Sequence, residues 1–170
     1  LVALNAKVKD LMVVVDHPAN VDALAAAAAK AGKPQTVVVD IDPGMHRTGV
    51  ASPDAVVELV KKVTGLKSLK YAGVQFYCGR HQHIVDFKER KAEIEERTEY
   101  LKGILAKLAA AGLKPEIITG SGTGTHLIDA KLGVFTTLRA RKPRFVAVCR
   151  YRAHHIFFCY PFDTRPLLSP

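Results

Sequence analysis

The residues with the plainest chemical potential stand at Glu116-Ile-Ile-Thr-Gly-Ser-Gly-Thr-Gly-Thr125, where a short apolar run stops in alternating glycines and hydroxyls. Glycine lets backbone amides turn toward an anion, and hydroxyls at Ser121, Thr123 and Thr125 are added donors. A helix starting near Thr125 would point its positive end at the same place. The composition is that of a phosphate cradle. It is also that of an ordinary strand-to-helix turn, since glycine and threonine are common turn formers and caps. The spacing fits neither the P-loop nor the dinucleotide fingerprint: Lys131 comes too late and no G-x-G-x-x-G is present. The anion therefore need not be a nucleotide.

Three more stretches are polar, and two of them glycine-bearing, where an apolar run ends: Asp16-His17, Asp42 to Gly49, and Tyr77 to His83. Each follows a segment with strand character. Leu11-Met-Val-Val-Val15, Thr36-Val-Val-Val-Asp-Ile-Asp42, Tyr71-Ala-Gly-Val-Gln-Phe-Tyr77 and Pro115 to Thr119 are short, apolar on both faces and bounded by turn residues. Between them lie helical patterns. Pro18 opens an alanine-rich helix from Ala19 to Ala31 that Gly32 stops, and Ser52-Pro53 opens a second from Asp54 to Val63. A third runs from about Val85 to Ala111, with Ile94, Leu101, Leu105 and Leu108 inward and its charges on a solvated face. Residues 1–10 read as the end of a helix with Leu1, Leu4 and Val8 on one face.

Four β-loop-α units in succession predict an α/β fold with a parallel sheet. A doubly wound sheet closes with about five strands, whereas a complete (β/α)8 barrel needs about 250 residues, so 170 residues hold only part of one. In both architectures the loops after the strands carry the chemistry. The four polar loops therefore share one end of the sheet.

Composition narrows the classes. With 48% hydrophobic residues the chain supports a globular core. No apolar run approaches the roughly 18 residues of a membrane span, and the first residues lack a signal-peptide layout, so no membrane partner is expected. Cys78, Cys149 and Cys159 match no zinc or redox spacing, which makes a reducing cytoplasm the default. The chain opens on leucine and reads as a piece of a longer protein. The net charge of +9 is unevenly spread: residues 138–170 hold seven basic residues against Asp163, a local +6, and six of the twelve aromatics. A nucleic-acid-binding domain would explain such a tail, but the charge is not spread over a folded face, so no nucleic-acid partner is expected.

Taken together, Val39-Asp-Ile-Asp-Pro-Gly-Met-His-Arg-Thr-Gly-Val50, Gly73-Val-Gln-Phe-Tyr-Cys-Gly-Arg-His-Gln-His83 and Ile118-Thr-Gly-Ser-Gly-Thr-Gly-Thr125 resemble the D-threonine aldolase and D-serine dehydratase family. Val13-Val-Val-Asp-His-Pro-Ala-Asn20 looks like the same family, and the resemblance covers residues 1–140. It implies a partial (β/α)8 TIM barrel of the alanine racemase type and the cofactor pyridoxal 5'-phosphate. It implies that Thr119, Ser121, Gly122, Thr123 and Gly124 hold the phosphate, and that Tyr77 and Gln82 lie beside the cofactor. Arg47 takes the place of the family's loop arginine, near the cofactor's phenolic oxygen and the substrate carboxylate, so Arg47 and Tyr77 are the implied catalytic residues. His83 could line the same mouth, His81 is as readily a plain loop histidine, and His17 and Asp42 are weaker candidates.

The resemblance also implies parts this chain lacks. The family's cofactor lysine lies upstream of position 1, and its divalent metal, Mn or Zn, is held in a C-terminal β domain. His154, His155 and Cys159 do not match that metal motif. The implied parent is a lyase acting on a small D-amino acid, by retro-aldol cleavage of a D-threonine-like substrate or dehydration of a D-serine-like one. It could be a homodimer. A non-catalytic pyridoxal-phosphate carrier of the same barrel type, or a racemase-like protein, would need the same cradle. Val134 to Ala140 resembles the approach to the family's next strand, after which the match stops. Residues 141–170 form an atypical basic, aromatic segment that reads as translation in a shifted frame, and loose packing is expected of it.

Overall fold

The computed structural model describes residues 1–8, 10–138, 148–151 and 154–159. The elements run α1 (Val2–Lys7), β1 (Met12–Val15), α2 (Pro18–Lys30), β2 (Gln35–Asp40), α3 (Pro53–Thr64), β3 (Leu69–Phe76), a short 3-10 turn at Arg80–His83, α4 (Phe87–Ala110), β4 (Ile117–Gly120), α5 (His126–Leu132), β5 (Thr137–Leu138), β6 (Val148–Tyr151) and β7 (His154–Cys159). The sheet order is β5-β4-β3-β2-β1-β7-β6. Strands β1 to β5 are parallel neighbours in chain order, as the four βα units require. The parallel expectation ends at β1, whose other edge pairs antiparallel with β7 of a β6–β7 hairpin. The remaining residues of the atypical segment lie outside the described ones, and the expectation of loose packing falls there with them.

Local chemistry starts each helix. His17 caps α2 through its ring, which accepts from the Ala19 amide at 3.2 Å, and Pro18 sits at the first helical position. Ser52 caps α3 in the same way at the Ala55 amide, again ahead of a proline. Asp86 caps α4 at the Glu89 amide, 2.8 Å away. In α1 the expected inner face is wrong: Leu1 and Leu4 are exposed, while Asn5 is buried and donates to the Pro34 carbonyl at 3.1 Å. A single turn and a half buries little, so one satisfied amide outweighs the apolar stripe.

Two faces of the sheet differ in kind. Val13, Val15, Val37, Val39, Ile41, Val74 and Phe76 face the helices and meet Val21, Leu24, Val56, Leu59, Val60, Leu101, Ile104 and Leu108 in one continuous core. Each such side chain contributes roughly 1.5–3 kcal/mol of burial free energy. The opposite face carries only a small cluster of Val14, Val38 and Ala72, with Met12 and Ile117 against it. Above that cluster the same face turns polar. Register places Asp40 beside Gln75 and Gln75 beside Thr119, and the pairing of Val15 with Val39 brings Asp16 level with Asp40. A polar layer thus crosses four strands at their C-terminal ends.

Candidate functional site

The site grows from the loops above that layer. After β2 the chain bridges back on itself at Ile41 and Val50, closing the loop of residues 42–49. Asp42 organises the loop from within: its Oδ1 accepts from the amides of Gly44, Met45 and His46 at 2.9, 2.8 and 3.1 Å, and its Oδ2 lies 2.9 Å from His46 Nδ1. The loop returns through Gly49, where φ is +98° and an added Cβ would overlap the backbone of Ile41 and Asp42. Only glycine fits there. The Gly49 amide donates to Asp16 Oδ2 at 3.1 Å, tying the loop to the end of β1.

Arg47 leaves this loop toward β3, with its Cζ 5.7 Å from the centroid of the Tyr77 ring. The Tyr77 hydroxyl accepts from Gln82 Nε2 at 2.7 Å, and Gln82 Oε1 accepts from the Gly124 amide at 3.4 Å. The three loops after β2, β3 and β4 are therefore joined by a chain of polar contacts running Arg47, Tyr77, Gln82, Gly124. Gln82 lies so close over the glycine loop that a Cβ at Gly122 would overlap its carboxamide. Those two glycines leave backbone facing the mouth of the site.

Within the loop, Ser121 adopts φ of +70° and its Oγ lies 3.4 Å from Thr125 Oγ1, which accepts from the Gly122 amide at 3.0 Å. Both residues are buried. Their hydroxyls brace the loop from beneath, while Thr123 and Gly124 are exposed at its tip. The Gly122 carbonyl takes the amides of Thr125 and His126. Thr119 is buried one layer down, level with Gln75.

Sequence-predicted residues therefore occupy three depths. Arg47, Tyr77, Gln82, Gly122 and Gly124 meet at the mouth, Thr123 stands at the rim, and Thr119 and Ser121 lie behind. His83 is exposed and His17 serves as a cap. His81 is buried on the far side of the loop, where burial lowers its pKa against the opposing pull of Glu93. A pocket of about 20 Å³, lined by His81, Arg97, Ser121, Thr125 and Asp129, backs the cradle there and has room for a water molecule, not a substrate.

The strand-borne carboxylate Asp40 escaped the sequence reading. Asp40 is buried, accepts from Gln75 Nε2 at 3.1 Å, and its pKa is pushed up to about 6. Burial is the main cause and Asp16 adds to it, with Gln75, Thr48 and Arg47 opposing. The signal was period-two spacing: Val38, Asp40 and Asp42 share a face. A run apolar on both faces hides it.

An anion with a phosphate group suits the glycine loop in kind: its Gly124 amide donates to a carboxamide oxygen at 3.4 Å, and Gly122 and Gly124 let Gln82 approach where a Cβ would crowd it. For a metal the described residues do not suffice: no three His, Cys, Asp or Glu side chains converge among them. His154 and His155 pair through backbone with β6, and Cys159 with Met12 of β1. Among the described residues no helix is long and apolar enough to cross a membrane.

Residues 2–140 match the family model of the alanine racemase N-terminal domain. Over 142 residues the chain is 34% identical to a 3-hydroxy-D-aspartate aldolase of Paracoccus denitrificans, covering 84% of this chain and 37% of that protein. Over 141 residues it is 31% identical to a D-threonine aldolase of an Arthrobacter species, covering 83% and 37%. The crystal structure of D-threonine aldolase from Filomicrobium marinum superposes with a TM-score of 0.73 at 34% identity, covering 76% of this chain and 35% of that one. The chain thus spans little more than a third of the length of the relatives it matches.

Proposed function

The chain belongs to the alanine racemase N-terminal domain family, and from that premise we propose that it forms the cofactor-holding part of a pyridoxal-phosphate-dependent lyase that cleaves D-configured β-hydroxy amino acids. One observation carries the reading. Arg47, Tyr77, Gln82 and the glycine loop, which come from three separate segments, stand in contact at one end of a parallel sheet. The two curated relatives above are both aldolases, which favours retro-aldol cleavage over dehydration.

The residues divide the work. The loop of residues 121–125 holds the phosphate, with its Gly124 amide and the Thr123 hydroxyl as the groups on the open side and the Ser121–Thr125 brace keeping it in shape. Arg47 presents a planar cation to anionic oxygens of cofactor and substrate, and the face of Tyr77 steadies its guanidinium. Tyr77 and Gln82 close one wall and keep water from the reacting bonds. Pyridoxal phosphate, when bound, supplies an electron sink for the pair released at the substrate's α-carbon. The family resemblance implies that a lysine and a divalent metal complete such a lyase, and a cytoplasmic setting suits the free Cys78.

The test uses the protein at the length of its relatives. Supplied with cofactor and D-threonine or 3-hydroxy-D-aspartate, it should release glycine and an aldehyde, and the L-substrates should be inert. A 2-oxo acid with ammonia would instead mark a dehydratase. Cofactor binding with no turnover of any D-β-hydroxy amino acid would leave a carrier, and interconversion of D- and L-amino acids a racemase.

A further inference from the structure

Behind the glycine loop three side chains bring polar atoms to one small cavity. His81 comes from the 3-10 turn, Arg97 from α4 and Asp129 from α5, and all three line the space of about 20 Å³ that Ser121 and Thr125 also border. His81 Nε2, Arg97 Nε and Asp129 Oδ2 are buried and have no hydrogen-bond partner among the described residues. The nearest charged neighbours are spoken for. Glu93 Oε2 is 3.9 Å from His81 Nε2, beyond hydrogen-bond reach, and takes Arg80 Nη2 at 2.9 Å. Arg97 meets Glu96 through Nη2 at 3.3 Å, which leaves its Nε unspent. Buried polar atoms are rarely left unpaired, so three of them around one cavity point to a shared guest.

Size and charge decide what the guest is. A cavity of about 20 Å³ holds one water molecule and no larger group. The Asp129 carboxylate turns away an anion and the Arg97 guanidinium turns away a cation, so the guest is neutral. It must accept from Arg97 Nε–H and donate to Asp129 Oδ2, and water does both. Burial lowers the pKa of His81 against the pull of Glu93 and keeps the ring neutral at pH 7. Its Nε2 then accepts in one tautomer and donates in the other, and water answers either.

We propose that a single ordered water bridges Asp129 Oδ2, Arg97 Nε and His81 Nε2 in this cavity and holds the glycine loop from behind. The inference deepens the function proposed above, because it concerns the loop to which that reading gives the phosphate. The water ties α4 and the 3-10 turn to α5. From there the Asp129 amide donates to the Thr125 carbonyl at 3.0 Å, and Thr125 Oγ1 accepts from the Gly122 amide at 3.0 Å. The 3-10 turn thus grips the loop on both sides, with Gln82 in front and His81 at the back. Asp129 and His81 are positioning residues that touch no reacting atom.

NMR of the full 170-residue chain tests this without cofactor or turnover. Nuclear Overhauser cross-peaks between water and the protons of His81 and Thr125 should carry the sign that only a long-resident water produces. Asp129→Leu, of similar shape but without polar atoms, should abolish those peaks and speed hydrogen exchange of the Gly122 amide by about fivefold or more. Asp129→Asn keeps an oxygen at the same place and should retain both the cross-peaks and the slow exchange. Cross-peaks that are missing from the wild type, or that survive in Asp129→Leu by relay through the Ser121 and Thr125 hydroxyls, overturn the water site. Exchange at Gly122 that is as slow in Asp129→Leu as in the wild type overturns its hold on the loop. If water and amide behave as expected but the protein at its relatives' length binds no pyridoxal phosphate, the bridge stands and the cofactor reading fails.

Discussion

Replacing Asp40 with Asn should make the folded chain more stable at neutral pH, although it removes a hydrogen-bonded carboxylate from the sheet. An aspartate whose pKa rises from 3.8 to about 6 on folding holds its proton in the folded state after the unfolded chain has released it. The unfolded state then binds fewer protons across that window, so stability falls as pH climbs from about 4 to about 6 and levels off above. At about 1.36 kcal/mol per tenfold change in proton affinity, the gap is worth about 3 kcal/mol. Asparagine is neutral throughout and keeps an oxygen for Gln75 Nε2, and its amide can donate to the orphaned Asp16 Oδ1. Urea unfolding followed by far-ultraviolet circular dichroism, at a series of pH values, measures the difference directly. The carboxylates other than Asp16 contribute alike to both proteins and cancel. The variant should gain on the order of 1–3 kcal/mol at pH 7 and nothing at pH 4. A difference that is constant with pH, or that favours the wild type most at pH 7, would refute the burial argument.

Three further substitutions probe the loops. Gly49→Ala should cost at least about 2 kcal/mol in the same unfolding assay, because its Cβ meets backbone that cannot step aside. Thr125→Val removes the acceptor of the Gly122 amide and should cost about 1–3 kcal/mol, with a matching loss of phosphate affinity if the brace shapes the cradle. Arg47→Ala, in the protein at its relatives' length, should lower kcat/KM by roughly a hundredfold while cofactor retention falls far less, since the phosphate is held elsewhere. Equal losses in turnover and retention would contradict that division of labour.

Much of this was legible in sequence because strong local signals coincide. Pro18 and the pair Ser52-Pro53 announced two helices by helix-start chemistry, and the runs ending at Val15, Asp42, Tyr77 and Thr119 marked strand after strand. The family resemblance then singled out Arg47, Tyr77, Gln82 and the glycine loop, which touch at one end of the sheet. What escaped depends on tertiary detail. Asp40 stands in a run apolar on both faces, so its polar surroundings show only when register sets it beside Gln75. Ser121 and Thr125 resemble open donors, yet the positive φ at Ser121 turns the pair under the loop. The 3-10 turn that buries His81 and presents Gln82 is too short to leave a periodic pattern. Leu1 and Leu4 misled for the same reason: six helical residues carry too little stripe to outweigh the bond from Asn5.

On the proposed reading, three loops of this chain form one mouth for a phosphate-bearing cofactor. Equilibrium titration of the protein, at the length of its relatives, with pyridoxal 5'-phosphate and with phosphate-free pyridoxal tests it most directly, read by the visible absorbance of the bound cofactor. The account predicts saturable binding of the phosphorylated form, much weaker binding of pyridoxal, and loss of that preference in Gly122→Ala, whose Cβ would displace Gln82 from the cradle. Equal affinity for the two forms, or a preference that survives Gly122→Ala, would contradict it.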